Sequence, residues 1–295
     1  MKKMLTAFFA VLSLYYAQAQ DSTSLLKDIG LKPDDYQVTG TFKSTRVINA
    51  HSTEMLPKGV LDVRIMHRFG VVKNGFKDLF GIDNASMRLS FDYGICDRLM
   101  IGIGRSTILK DLDIFAKARV LQQTSGGEKR MPVTLLLAAG YIVTTQESFA
   151  NPKPDFGDRS SFFVQVIAGR KFSRNFSMQI SPLLVHNNAT LNPDDDKNII
   201  GLGGGLRYKV SKRVALMLDY HYAIGVLDAA ITNPLSFGVD IETGGHVFQL
   251  HISNATGMNE KGYLTQTTGE FFKGDIRIGF NLSRVFTIGK RKKKW

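Results

Sequence analysis

The strictest constraint in this chain is a two-residue alternation sustained over unusually long runs. Between residues 84 and 106, Met87, Leu89, Phe91 and Tyr93 fall on one parity while Arg88, Ser90, Asp92 and Gly94 fall on the other. That is the period of a strand with one apolar and one polar face. A tight turn at Cys96-Asp97-Arg98 follows, and Leu99, Ile101 and Ile103 resume the apolar face against Met100, Gly102, Gly104 and Ser106. Each arm runs to about ten residues, long for a soluble strand and suited to a tilted membrane-crossing one.

The same unit repeats from Gly59 to Phe286. Leu61, Val63, Ile65 and Phe69 alternate with Asp62, Arg64, Met66 and Arg68; after the hairpin come runs at 112–120 and 133–143. Further segments lie at 162–172, 176–187, 199–210, 214–223, 235–241, 246–253 and 274–286, which makes about twelve strands. Their connections sort by phase. Turns at 96–98, 173–175, 211–213 and 243–245 are tight, and 124–130 shares their phase. Stretches at 71–83, 145–159, 188–198, 225–234 and 255–273 are long. Short inner turns opposite long outer loops, with both strand termini at the short-turn end, predict an all-β fold: a transmembrane, antiparallel, up-and-down β-barrel. A soluble sandwich also buries one parity, but it would not need ten-residue strands, phase-sorted loops and so charged a polar face.

The ends of the chain agree with export. Lys2 and Lys3, an apolar run over 4–16 and the small residues of Ala17-Gln18-Ala19 read as a signal peptide over 1–19, with maturation before Gln20. No cysteine near that site suggests a lipid anchor, and Cys96, the single cysteine, cannot close an intramolecular disulfide. Residues 20–58 are the least regular part, with a helical possibility at 22–29 and a short strand possibility at 41–50. They could begin the barrel, fill its lumen as a plug, or hang loosely in the periplasm. Of the formal charge of +12, the two lysines of the start and the five cations among residues 290–294 carry seven. The remainder makes no case for nucleic acid, and the basic tail 287–295 reads as a solvated extension.

Chemistry is sparse. The inward parity carries Arg64, Arg68, Arg88, Lys117, Arg119, Arg207 and Arg277, interleaved with Asp92, Asp113, Asp219 and Asp240. These eleven are the expected lumen-lining residues. Gly201, Gly203 and Gly205 share that face, which suits tight coiling or room for a plug. The glycine run 201–205 has no helix after it, so it is not a phosphate cradle. His221 and His251 face inward without ligand spacing, and Asp194-Asp195-Asp196 lacks the glycine and glutamate of a calcium loop. No Gly-x-Ser-x-Gly elbow occurs, and His186 with Ser181 or Ser177 is a chance-level pairing. Neither enzyme activity nor a cofactor or metal is expected. Tyr93, Tyr141, Phe162, Phe172, Phe176, Tyr208, Tyr220, Tyr222 and Phe286 lie towards strand ends, where interface girdles would be.

Several stretches also resemble a known family. Residues 41–49 (TFKSTRVIN), Lys58-Gly59, His67-Arg68-Phe69-Gly70, 79–83 (LFGID) and 243–250 (TGGHVFQL) are similar to recurring motifs of a family of bacterial outer-membrane β-barrel proteins, domain of unknown function 5777. The resemblance spans about 41–286 and implies a barrel, with no activity or ligand to carry over. The leading expectation is a passive, porin-like outer-membrane channel in which the basic ladder lowers the barrier for small polar or anionic solutes. The competing expectation is a closed structural barrel that serves as a scaffold for a periplasmic or surface partner. Outer-membrane lipid is the one partner common to both.

Overall fold

A computed structural model describes residues 36–126, 130–147, 153–190, 194–225, 227–243 and 246–288. The expected signal segment, the helical possibility at 22–29 and the tail from 289 onward lie outside them.

Twelve antiparallel strands close into one barrel. They are β1 (Val60–Val71), β2 (Ala85–Cys96), β3 (Leu99–Ser106), β4 (Asp111–Leu121), β5 (Thr134–Thr144) and β6 (Ser160–Lys171), then β7 (Phe176–Asn187), β8 (Asn198–Lys209), β9 (Val214–Ile224), β10 (Leu235–Thr243), β11 (His246–Ser253) and β12 (Arg277–Thr287). Each strand pairs with its sequence neighbours. The last pairs with the first, in register from Arg277↔Val71 to Thr287↔Val60, so that no edge is left open.

Alternation along the strands becomes inside and outside. On β3, Met100, Gly102, Gly104 and Ser106 are buried while Ile101, Ile103 and Arg105 are exposed. Around the whole wall the outward parity leaves large apolar side chains such as Ile114, Leu137, Val164, Ile200, Leu216 and Phe237 between a third and a half exposed. A soluble protein does not carry an apolar belt of that extent. Two aromatic rings border it. Phe172, Phe176, Tyr208 and Phe286 stand near the short-turn end, and Tyr141, Phe162, Tyr220 and Tyr222 near the long-loop end. Phe162 and Phe172 are ten residues apart, about 33 Å along a strand and, at the usual barrel tilt, about 25 Å along the axis. That is the height of a membrane barrel's apolar band.

Of the described residues ahead of β1, 41–56 lie in the lumen. Tyr36–Gln37 pairs with Thr124–Ser125 in the turn between β4 and β5, and the chain then enters from the short-turn end. It reverses at a tight loop in which Val47 N–H donates to the Ala50 carbonyl, beside an isolated bridge between Arg46 and His51. It leaves again at Leu56 and Pro57 against Gly94. The strand considered for 41–50 is therefore absent: this segment joins no ladder. From the long-loop end, the connection between β11 and β12 dips inward and carries a short helix, α1 (Glu260–Thr265), whose Asn259 side chain caps Gly262 N–H.

The interior has two unlike halves. Met100, Phe115, Leu136, Ala138, Ile142, Phe163, Ile167, Leu183, Val185 and Ile199 form an apolar inner wall on β3–β8. Ala50 and Leu56 of the plug and Tyr263 and Leu264 of α1 pack against it. The opposite wall, from β8 around to β2, is mainly polar, although Met66, Ala215 and Met217 are buried on it and Met217 joins Phe42, Val47 and Ile48 of the plug in a second, smaller apolar cluster.

Candidate functional site in the lumen

The plug joins no ladder, and its internal bonds, among them Val47 N–H to the Ala50 carbonyl, Ser52 N–H to the Thr45 carbonyl and Phe42 N–H to Glu54, leave other backbone groups for the wall to satisfy. Asp219 on β9 accepts from the N–H groups of Ile48 (3.2 Å), Asn49 (2.7 Å) and Ala50 (3.1 Å), three consecutive amides at the plug tip. Lys117 on β4 reverses the polarity. Its Nζ donates to the carbonyls of Thr45 (3.1 Å), Ser52 (3.1 Å) and Glu54 (2.7 Å), tying the two arms together. Gln249, Asn281 and Gln179 donate to the carbonyls of Val47, Ile48 and His51. Fixed wall groups thus recognise a backbone trace.

Charged side chains complete the joint. Arg46 of the plug donates to Glu260 of α1 at 2.9 Å and to the Asn49 carbonyl at 2.6 Å, with both charged groups 1% exposed. This pair connects the element entering from one end with the element entering from the other. His51 sits 3.5 Å from the same carboxylate, tilted against Phe115 and stacked on Phe163. Burial, reinforced by the cations of Arg46 and Lys117, holds its imidazole well below the usual range, so it stays neutral.

The expected lumen residues fall out as follows. Arg64, Arg68, Arg88, Lys117, Arg207, Asp92, Asp113, Asp219 and Asp240 all point inward and are buried. Arg119 is half-buried at the short-turn end, reaching the Asp97 carbonyl. Arg277 is half-buried where β12 begins.

What the structure changes is their state: Arg64, Arg88 and Arg207 are paired with carboxylates, while Arg68 and Lys117 are held by neutral side chains and carbonyls. Arg88 grips Asp113 with both Nε and Nη2. Arg64 pairs with Asp62 at 2.7 Å and also binds Thr45 and Ser44, and Arg207 pairs with Glu242 at 3.0 Å. Arg68 holds Asn49 and Asn281. Thr45 donates to Asp92, Gln249 to Asp240, and His221 lies 3.0 Å from Asp219. Among the described residues, no group of three His, Cys, Asp or Glu side chains is arranged to hold a metal ion.

Inward glycines are where the inserted elements touch the wall. A Cβ on Gly201 would meet Leu264 of α1, and one on Gly205 would meet Val47 of the plug. At Gly94 a Cβ would stand 2.1 Å from the Pro57 carbonyl oxygen, in backbone that cannot swing aside. Gly94→Ala is therefore expected to push 56–58 off the wall, break the Gly59 N–H to Gly94 carbonyl bond and cost about 1–3 kcal/mol of barrel stability. Urea unfolding in lipid vesicles measures it, and an unchanged midpoint would refute this contact.

A gap bordered by Ser44, Arg64, Val247, Gln249, Asn281 and Ser283 measures about 10 Å³, no more than one water molecule occupies.

A family model described as "Membrane bound beta barrel domain (DUF5777)" matches residues 42–286. The chain belongs to this family. The match begins within the plug, so the membrane-bound barrel domain of the family comprises plug and wall together. Among solved structures, the chain is similar to the NanC porin, at 9% identity and a TM-score of 0.47, covering 77% of this chain and 98% of that one. It is also similar to the KdgM porin (8%, 0.45, 77% and 99%) and to the outer membrane protein Omp33 of Acinetobacter baumannii (10%, 0.40, 77% and 97%). A comparison with curated proteins gave no match.

The residues that build the joint include several that the inward ladder of charges did not single out: Arg46, Asn49, Glu260, Gln179, Gln249 and Asn281. Gln179, Gln249 and Asn281 sit on inward strand positions, and that parity is the signal that would have found them.

Proposed function

We propose that this membrane-bound barrel works closed, as an outer-membrane scaffold with an integral plug, and not as an open passive pore. The observation that carries this reading is the packed apolar cluster between one side of the wall and the inserted elements. Withdrawing the plug and α1 would wet Phe115, Leu136, Phe163, Ile167 and Leu183. At about 1.5–3 kcal/mol for each large side chain, that costs on the order of 10 kcal/mol. A gate that opens spontaneously must have its open state within a few kcal/mol. The paired arginines Arg64, Arg88 and Arg207 point the same way, since a guanidinium bound to a carboxylate offers little to a passing anion. In this reading the partner is held at one of the two loop-bearing ends, periplasmic or external.

One observation favours a second reading. On the polar half, wall and plug are joined by hydrogen bonds and ion pairs that water can replace, which would suit small polar or anionic solutes if an external agent extracted the plug.

Planar-bilayer recording of the refolded chain tests the closed state. The expected result is a heat-modifiable, folded barrel that stays electrically silent, and Arg88→Ala with Arg119→Ala should leave it silent. Steady openings of the unaltered protein, above all with anion preference, would return the assignment to a passive channel.

A further inference from the structure

At the long-loop end, two neighbouring loops present aromatic side chains that nothing among the described residues covers. Phe76 is 80% exposed and Phe272 90% exposed, with Leu79, Phe80 and Ile82 also open. The loops are clamped to one another: Val72 N–H donates to the Ile276 carbonyl at 2.8 Å, and Lys73 pairs with Asp275. Leu79 and Phe80 lie in the left-handed region, at φ 44° and 54°. Non-glycine residues occupy that region only at an energetic cost, because the Cβ crowds the backbone there. The loop thus stays in a strained form that keeps apolar groups outside.

We infer that these two loops form a collar that inserts into the membrane leaflet at the long-loop end. Continuity decides the occupant. Phe271 packs on Phe237, an outward residue of β10, with ring centroids 5.6 Å apart, and Phe272 stands next to Phe271 at 5.5 Å. The loop therefore extends the apolar belt of the barrel wall upward, on its lipid side. Charge agrees: Lys73 and Lys273 are paired with Asp275 and Glu270, and the exposed Lys77 is offset within its own loop by Asp78 and Asp83. The surface therefore suits the acyl–headgroup boundary, where such side chains sit about 5–10 Å deep. An Arg-rich or acidic protein partner would find little net charge to match.

The test uses the full mature chain with its one native tryptophan replaced, Trp295→Phe, and a single reporter at Phe272→Trp or Phe76→Trp. Both sites are exposed, so the exchange leaves packing intact. The proteins are refolded into phosphatidylcholine vesicles brominated either near the headgroup or near the chain ends. The expected result at both positions is quenching that is strongest for bromine near the headgroup, with weak quenching by aqueous acrylamide. Ile103→Trp, on the outward wall, reports insertion of the barrel independently. Strong acrylamide quenching without bromolipid quenching at either reporter, while Ile103→Trp is quenched by lipid, would overturn the collar.

Discussion

Asp219→Ala should loosen the plug more than any other single change in the wall. It leaves the Ile48, Asn49 and Ala50 amides without their acceptor, all in a buried site. Each orphaned donor costs about 1–3 kcal/mol, so the loss is expected on the order of 5 kcal/mol. His221 loses its partner at the same time. Asp219→Asn keeps an accepting oxygen and should fall between the two. Urea unfolding of the vesicle-inserted barrel measures the stability, and trypsin added to the folded protein reports on the tip. Arg46 is 1% exposed, so cleavage after it requires the plug to leave. A variant as stable as the parent, uncut at Arg46, would show that the tip is held by packing alone.

Arg88→Ala ranks second and separates a buried ion pair from a pore charge. Arg88 on β2 reaches Asp113 on β4 across Gly104 of β3, where a Cβ would collide with the guanidinium. Removing one member of such a pair strands the other charge, which typically costs about 3–5 kcal/mol. Replacing both members with apolar groups, as in Arg88→Met with Asp113→Leu, should recover most of that. The double variant decides the matter: if it is no more stable than Arg88→Ala, the pair has no bearing on the cost, and Arg88 contributes through its other contacts.

The barrel was legible because parity is a local property. Met87 to Tyr93 and Ile101 to Ile103 announce their faces without any knowledge of neighbours, and loop lengths supply the phase. The plug was not, because residues 41–56 have no period: their order comes from wall side chains such as Asp219, which lies 169 residues from Ala50. Pairing of the lumen charges was hidden for a similar reason. Arg88 and Asp113 are 25 residues apart and meet only through the register of three strands. The apolar inner wall was masked by the opposite circumstance. Leu135, Leu136, Leu137, Ala138 and Ala139 are apolar on both parities, so alternation gives no sign of which face is buried.

The bond between Arg46 and Glu260 joins residues 214 positions apart, one ahead of the first strand and one just ahead of the last. Seen along the time axis of assembly, this core cannot be completed early. The acidic half of the pair arrives on the connection that delivers β12, and β12 is also the strand that closes the seam against β1. Contacts of such sequence separation form late and slow folding. Sealing of the wall and the final locking of the plug therefore come together at the end, and a chain interrupted ahead of Glu260 would carry an open edge and a plug held by Lys117 and Asp219 but not by its partner in α1.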